Sequence, residues 1–163
     1  MNRWYWRIIA GLSAAGIIAA VVMLTLPKPP IPGAIKQQLT STLMLPNTSR
    51  YPVARSSTKY DTGLKLLTFD VTAFHSKLIV SEQPTPDQFV DVPAVYQKVL
   101  DGMSDYADFD VSLGTVHLTT PPQLHGGQTA VLNAKGTLVF AKPATGLSED
   151  QWHQFFTSFA VAQ

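Results

Sequence analysis

Nineteen consecutive residues, Ile8–Leu26, carry no charge and are almost wholly apolar. A helix of that length is roughly 28 Å long, close to the hydrocarbon thickness of a bilayer. The pattern therefore predicts one membrane-spanning helix over 8–26. Arg3, Arg7 and the amino terminus precede it, with Trp4, Tyr5 and Trp6 beside them. Cations next to a span favour the cytoplasm, and amphipathic rings favour the headgroup layer. Residues 1–7 are expected to form a cytoplasmic stub, with everything after Leu26 outside the cytoplasm. The run exceeds the roughly 7–15 apolar residues of a cleaved signal. Its end, Met23-Leu24-Thr25-Leu26-Pro27, also lacks a small-x-small cleavage site, so the segment reads as an uncleaved, single-pass anchor in the cell membrane. Gly11, Ala15, Gly16, Ala19 and Ala20 supply small residues four apart inside it. That spacing lets helix backbones approach closely, for a homo-oligomer or for docking on another membrane or envelope protein.

Beyond the anchor the pattern changes period. Pro27-Lys28-Pro29-Pro30-Ile31-Pro32 forbids helix and reads as a stiff polyproline spacer over 27–32. Ala34–Thr40 is compatible with a short helix, and Leu43–Leu45 with the start of a sheet. Tyr51–Ser56, Leu64–Thr72 and Ser76–Glu82 alternate apolar and polar positions as half-buried strands do. Asp91 is an expected helix N-cap and Pro93 suits a first turn. Val92, Val95, Tyr96, Val99 and Leu100 then fall at helical spacing, predicting a helix over 92–103. Further strands are expected at Phe109–Leu113, Thr115–Thr119, Gln128–Asn133 and Thr137–Ala141, with Gly114 and Gly136 at hairpin turns. Ser148-Glu149-Asp150-Gln151 has the capping-box pattern and opens a last helix with Trp152, Phe155, Phe156 and Phe159 on one side. The fold class is α+β: after the single transmembrane helix comes one extracytoplasmic domain over 33–163. It has one mainly antiparallel sheet of about seven strands, with a middle helix and a C-terminal helix packed on it.

Composition narrows the chemistry. The 163 residues hold 12 Lys+Arg against 11 Asp+Glu, and no cysteine. A near-neutral domain is not built to hold nucleic acid. Without cysteine, stability must come from packing, and thiol catalysis, iron–sulfur centres and Cys-type zinc sites are excluded. Charge is uneven along the chain. Arg50, Arg55, Lys59 and Lys65 face only Asp61, whereas Glu82, Asp87, Asp91, Asp101, Asp105, Asp108 and Asp110 face only Lys98. These read as a polar binding face, two solvated surfaces, or neighbours across a sheet.

No motif defines a reaction. His75, His117, His125 and His153 lack the i, i+4 spacing of a zinc helix, and no HExxH, G-x-S-x-G or S-x-x-K occurs. Asp101, Asp105, Asp108 and Asp110 fail the calcium-loop pattern, since Ala107, Asp110, Ser112 and Leu113 fall where ligands or glycine are needed; they read as a solvated helix end and turn. His125-Gly126-Gly127 makes a flexible loop, but a strand follows it where a phosphate loop needs a helix. These two segments are the candidate contact surface. No cofactor, metal ligand set or catalytic residue is assigned.

Four segments carry a likeness: Leu43–Val53, the hairpin Tyr60–Val71, Leu78–Pro84 reading LIVSEQP, and the closing helix through Phe155–Phe159. In these the chain resembles an uncharacterised extracytoplasmic domain of small single-pass bacterial membrane proteins, departing where Arg50-Tyr51 replaces a glycine-tyrosine pair. The outline is also similar to the Mog1/PsbP-like sheet-and-helix fold by analogy. The resemblance implies no catalytic residues. The residues themselves lead to the expectation of a membrane-anchored binding, sensing or envelope-assembly module, non-enzymatic, whose first partner is membrane lipid. The alternatives are a structural subunit that oligomerises through its span and a metal-assisted hydrolase using converged histidines and aspartates.

Overall fold

The computed structural model of the chain describes residues 29–103, 105–119 and 128–162. The expected span over 8–26, with Gly11, Ala15, Gly16, Ala19 and Ala20, lies outside the described residues, as does the His125-Gly126-Gly127 loop. Among the described residues no helix is long and apolar enough to cross a membrane.

The elements run α1 (Gly33–Lys36), β1 (Met44–Leu45), β2 (Val53–Asp61), β3 (Leu66–Ala73), β4 (Ser76–Pro84), α2 (Asp87–Asp91), α3 (Pro93–Gly102), β5 (Asp105–Val111), β6 (Gly114–Thr119), β7 (Thr129–Ala134), β8 (Thr137–Pro143), α4 (Glu149–Thr157) and β9 (Ala160–Val161). Seven strands form one antiparallel sheet in the order β2-β3-β4-β8-β7-β6-β5. It is two meanders joined where β4 meets β8, with Val80 opposite Ala141. The chain leaves β4, crosses one sheet face through α2 and α3, and re-enters at the far edge as β5. β1 and β9 pair separately, Met44 opposite Val161 and Leu45 opposite Ala160.

Alternation decides the two faces. Leu67, Phe69 and Val71 of β3, Leu78 and Val80 of β4, and Val139 and Ala141 of β8 point into the larger core. α4 closes that core with Trp152, Phe155 and Phe156, and Phe159 joins them just past the helix end. The phenyl rings pack at centroid separations of 5.0 to 5.5 Å. The helix starts where its capping box is satisfied: Gln151 N–H donates to Ser148 Oγ and Ser148 N–H to Gln151 Oε1. On the opposite face α3 covers β7 and β8, burying Leu100 against Val131 and Leu138, with Tyr96 and Phe140 beside them. The β2–β4 part of that face is polar, with Lys77 paired to Asp70 at 2.7 Å.

Several expectations shift. β2 runs to Asp61 rather than ending at Ser56, because a bulge between Ala54 and Lys59 lets the strand continue. The bulge is held by Ser57 Oγ, which donates to the Ala54 carbonyl and accepts from Asp70 N–H. Asp91 is not an N-cap: it ends α2, and Val92 stands at the start of α3 without a side-chain cap. Asp105–Asp110 is not a helix end and turn but part of the edge strand β5, where Ala107, Phe109 and Val111 turn to the core and alternate with Asp108 and Asp110. Gly114 opens β6 instead of making the turn, which falls on Ser112-Leu113. Leu43–Leu45 does not start the large sheet, since β1 pairs only with β9. The spacer ends inside the domain: Ile31 is fully buried in the main core. Gly136 does sit in a tight turn with Lys135, at φ 75° and 51°, the left-handed pair a two-residue hairpin needs.

Candidate functional site

Of the acidic residues, Asp108 and Asp110 share one side of β5 and face β6. Asp108 lies opposite His117, and Asp110 opposite Thr115. Asp108 Oδ1 is 2.7 Å from His117 Nδ1, and Thr115 donates to Asp110 at 2.8 Å. A carboxylate accepts only, so Nδ1 carries the proton in this bond and the carboxylate fixes the tautomer. The edge of the imidazole meets the Tyr96 ring at 5.9 Å. Asp101 stands apart at the end of α3, where it accepts from Gln97 at 2.9 Å. Asp105 opens β5 opposite Thr119. Asp108 and Asp110 thus lie on the edge strand β5, and Asp101 on α3. The side chain of His117 is 15% exposed and that of Asp108 53%, so the surface offers carboxylate oxygens and keeps the imidazole mostly covered.

His75 and His153 lie elsewhere. His75 occupies the β3–β4 turn with φ 60°, and His153 stands on the outer side of α4 against Phe109. Among the described residues no three His, Asp or Glu side chains come together in a way that could hold a metal ion.

Glu82 is the titratable group that sequence reasoning passed over. It is 2% exposed on the core side of β4. One carboxyl oxygen accepts from Met44 N–H at 3.2 Å, and the other has no hydrogen-bond partner. Burial pushes its pKa up to about 8, and the Met44 hydrogen bond only partly opposes that. The signal was present, because Glu82 continues the inward parity of Leu78 and Val80. Tyr51 is buried nearby in the same core, with its ring against Phe74 and Phe155; burial raises its pKa and Arg50 opposes the rise.

A recess of about 540 Å³ is lined by Pro29, Pro30, Lys36, Leu45, Ser158 and Val161 among others. A second, about 310 Å³, lies by Lys65, Thr85 and Asp87, and a third, about 430 Å³, by Lys59, Asp70 and Lys77. None of the three contains a histidine or Glu82. All are open grooves on the surface, and the Asp108–His117 pair belongs to none of them.

No known protein family matches the chain, and no curated protein or solved structure is similar to it.

Proposed function

We propose that this protein is a single-pass, membrane-tethered extracytoplasmic module that works by binding rather than by covalent chemistry. One observation carries the reading: the buried core begins at Ile31, five residues after the charge-free run Ile8–Leu26 ends. An apolar segment of spanning length joined so closely to a folded body is the arrangement of a membrane-anchored domain. Support for a binding role comes from the side chains. Asp101, Asp108 and Asp110 are open to solvent, whereas the Asp108–His117 pair keeps its imidazole mostly covered, against Tyr96. The partner would be another envelope protein presenting cations to these aspartates.

The test is fractionation and topology of the full chain in cells. The protein should stay with membranes through alkaline carbonate washing. Its domain should be digested by protease added to spheroplasts whose inner membrane is intact. Release from membranes at full mass, or protection of the domain until the inner membrane is broken, refutes the reading.

A further inference from the structure

We infer that the β2 edge of the domain lies against the membrane and binds anionic lipid headgroups, leaving the acidic β5 edge pointing away. This rests on the anchor reading above and adds to it the orientation of the domain and the chemistry of its lipid partner.

The first observation is reach. Two residues, Pro27 and Lys28, lie between Leu26 and Pro29, so three steps of at most about 3.6 Å put Pro29 within roughly 11 Å of the end of the span. The headgroup layer is itself roughly 5–8 Å thick on each side. Pro29 is fixed to the domain: Arg55 Nη1 donates to its carbonyl oxygen at 2.9 Å. The Arg55 guanidinium therefore sits at or just beyond the headgroups, within a Debye length of about 8–10 Å.

The second observation is charge. From Pro29 to Tyr60 the chain holds Lys36, Arg50, Arg55 and Lys59 and no Asp or Glu. Lys36 lines the recess shared with Pro29 and Pro30. Arg55 and Lys59 are exposed on β2 itself, at the outer edge of the large sheet. The nearest acid across the sheet, Asp70 opposite Ala54, is neutralised by Lys77. Asp61 ends β2 and Glu149 and Asp150 open α4, while the other aspartates, Asp70 aside, lie on α2, α3 and β5. Six strand spacings separate β5 from β2, roughly 29 Å at about 4.8 Å each. The part of the domain nearest the anchor is thus cationic and the far part anionic, the polarity that an anionic surface at the anchor would select.

The absence of cysteine allows a direct test with the full-length chain in lipid nanodiscs. One fluorophore is placed at Ser56→Cys on β2 and, in a second sample, at Ser112→Cys in the β5–β6 turn; both positions are exposed. Discs contain headgroup-linked quencher in phosphatidylcholine alone or mixed with phosphatidylglycerol. The Ser56 label should be quenched more strongly in the anionic discs, the difference should vanish in high salt, and the Ser112 label should stay bright in both. Lys59→Gln and, separately, Arg55→Gln should each lower the seating equilibrium roughly fivefold. Equal quenching of Ser56 in the two lipids, or quenching of Ser112, overturns the inference while the chain still co-purifies with discs; the cations then serve only to guard the sheet edge against strand pairing. A chain that fails to co-purify with discs at all refutes the anchor itself.

Discussion

Replacing Glu82 with glutamine should change how stability depends on pH more than it changes the structure. Glutamine keeps an oxygen to accept from Met44 N–H, which the carboxyl accepts at 3.2 Å, and removes the proton equilibrium. In the fold the pKa of Glu82 rises from an ordinary 4.5 to about 8 because the group is shut away from water. The folded protein therefore keeps a proton that the unfolded chain has already released. Its contribution to stability is fully present below about pH 4.5, declines through the window to about pH 8, and is lost above it. At about 1.36 kcal/mol per unit, the decline is on the order of 4–5 kcal/mol. That is a large share of the roughly 5–15 kcal/mol that holds a domain together. The assay is urea unfolding of the full chain in detergent at a series of pH values. Trp152 fluorescence reports on the core once the other two tryptophans are removed by Trp4→Phe and Trp6→Phe. The wild-type protein should lose several kcal/mol relative to E82Q between about pH 5 and pH 8. Parallel stability curves across that range would show Glu82 ionising inside the fold at its ordinary pKa, and the burial argument would be wrong.

Two other substitutions test particular contacts. Gln128 Oε1 accepts from both Leu147 N–H, at 2.8 Å, and Trp152 Nε1, at 3.2 Å, so Gln128→Leu leaves two buried donors unpaired and should cost about 2–4 kcal/mol in the same unfolding assay. Phe74 and His75 both take left-handed backbone, at φ 51° and 60°, in the β3–β4 turn; His75→Gly should relieve that strain and raise stability by about 1 kcal/mol, read as a higher Tm, whereas a lower Tm would show that the His75 side chain outweighs the strain.

Much of the fold was legible in local pattern. Alternation over Leu64–Thr72 and Ser76–Glu82 marked β3 and β4 because one side of each faces a core. Ser148 and Gln151 marked the start of α4 because a helix must satisfy its first N–H groups. Polar strands were harder to read. Phe109–Leu113 reads as a strand, but the first half of β5 reads as a turn, because its aspartates obscure the alternation of Ala107, Phe109 and Val111. The β4–β8 pairing was not legible either: strands that meet after a long crossover leave no local mark. The same holds for the site. The Asp108–His117 contact follows from the β5–β6 register, which depends on a turn at Ser112-Leu113 rather than at Gly114. Basic and acidic stretches that could have been neighbours across a sheet lie at its opposite edges. The bond from Arg55 to Pro29, which ties the domain to the residues leading from the anchor, joins positions whose proximity only the folded chain determines.

Met44 and Val161 meet across 117 positions of sequence, and this fixes the order of assembly. A growing or translocating chain can zip β2, β3 and β4 from adjacent hairpins, yet β1 has no mate until residues 160 and 161 have emerged and α4 has docked. In the unfolded chain the Glu82 carboxyl is wet and ionised at neutral pH, and burying it in the core raises its pKa to about 8. Closing the core therefore takes up a proton, so nascent and finished protein differ in charge as well as in shape.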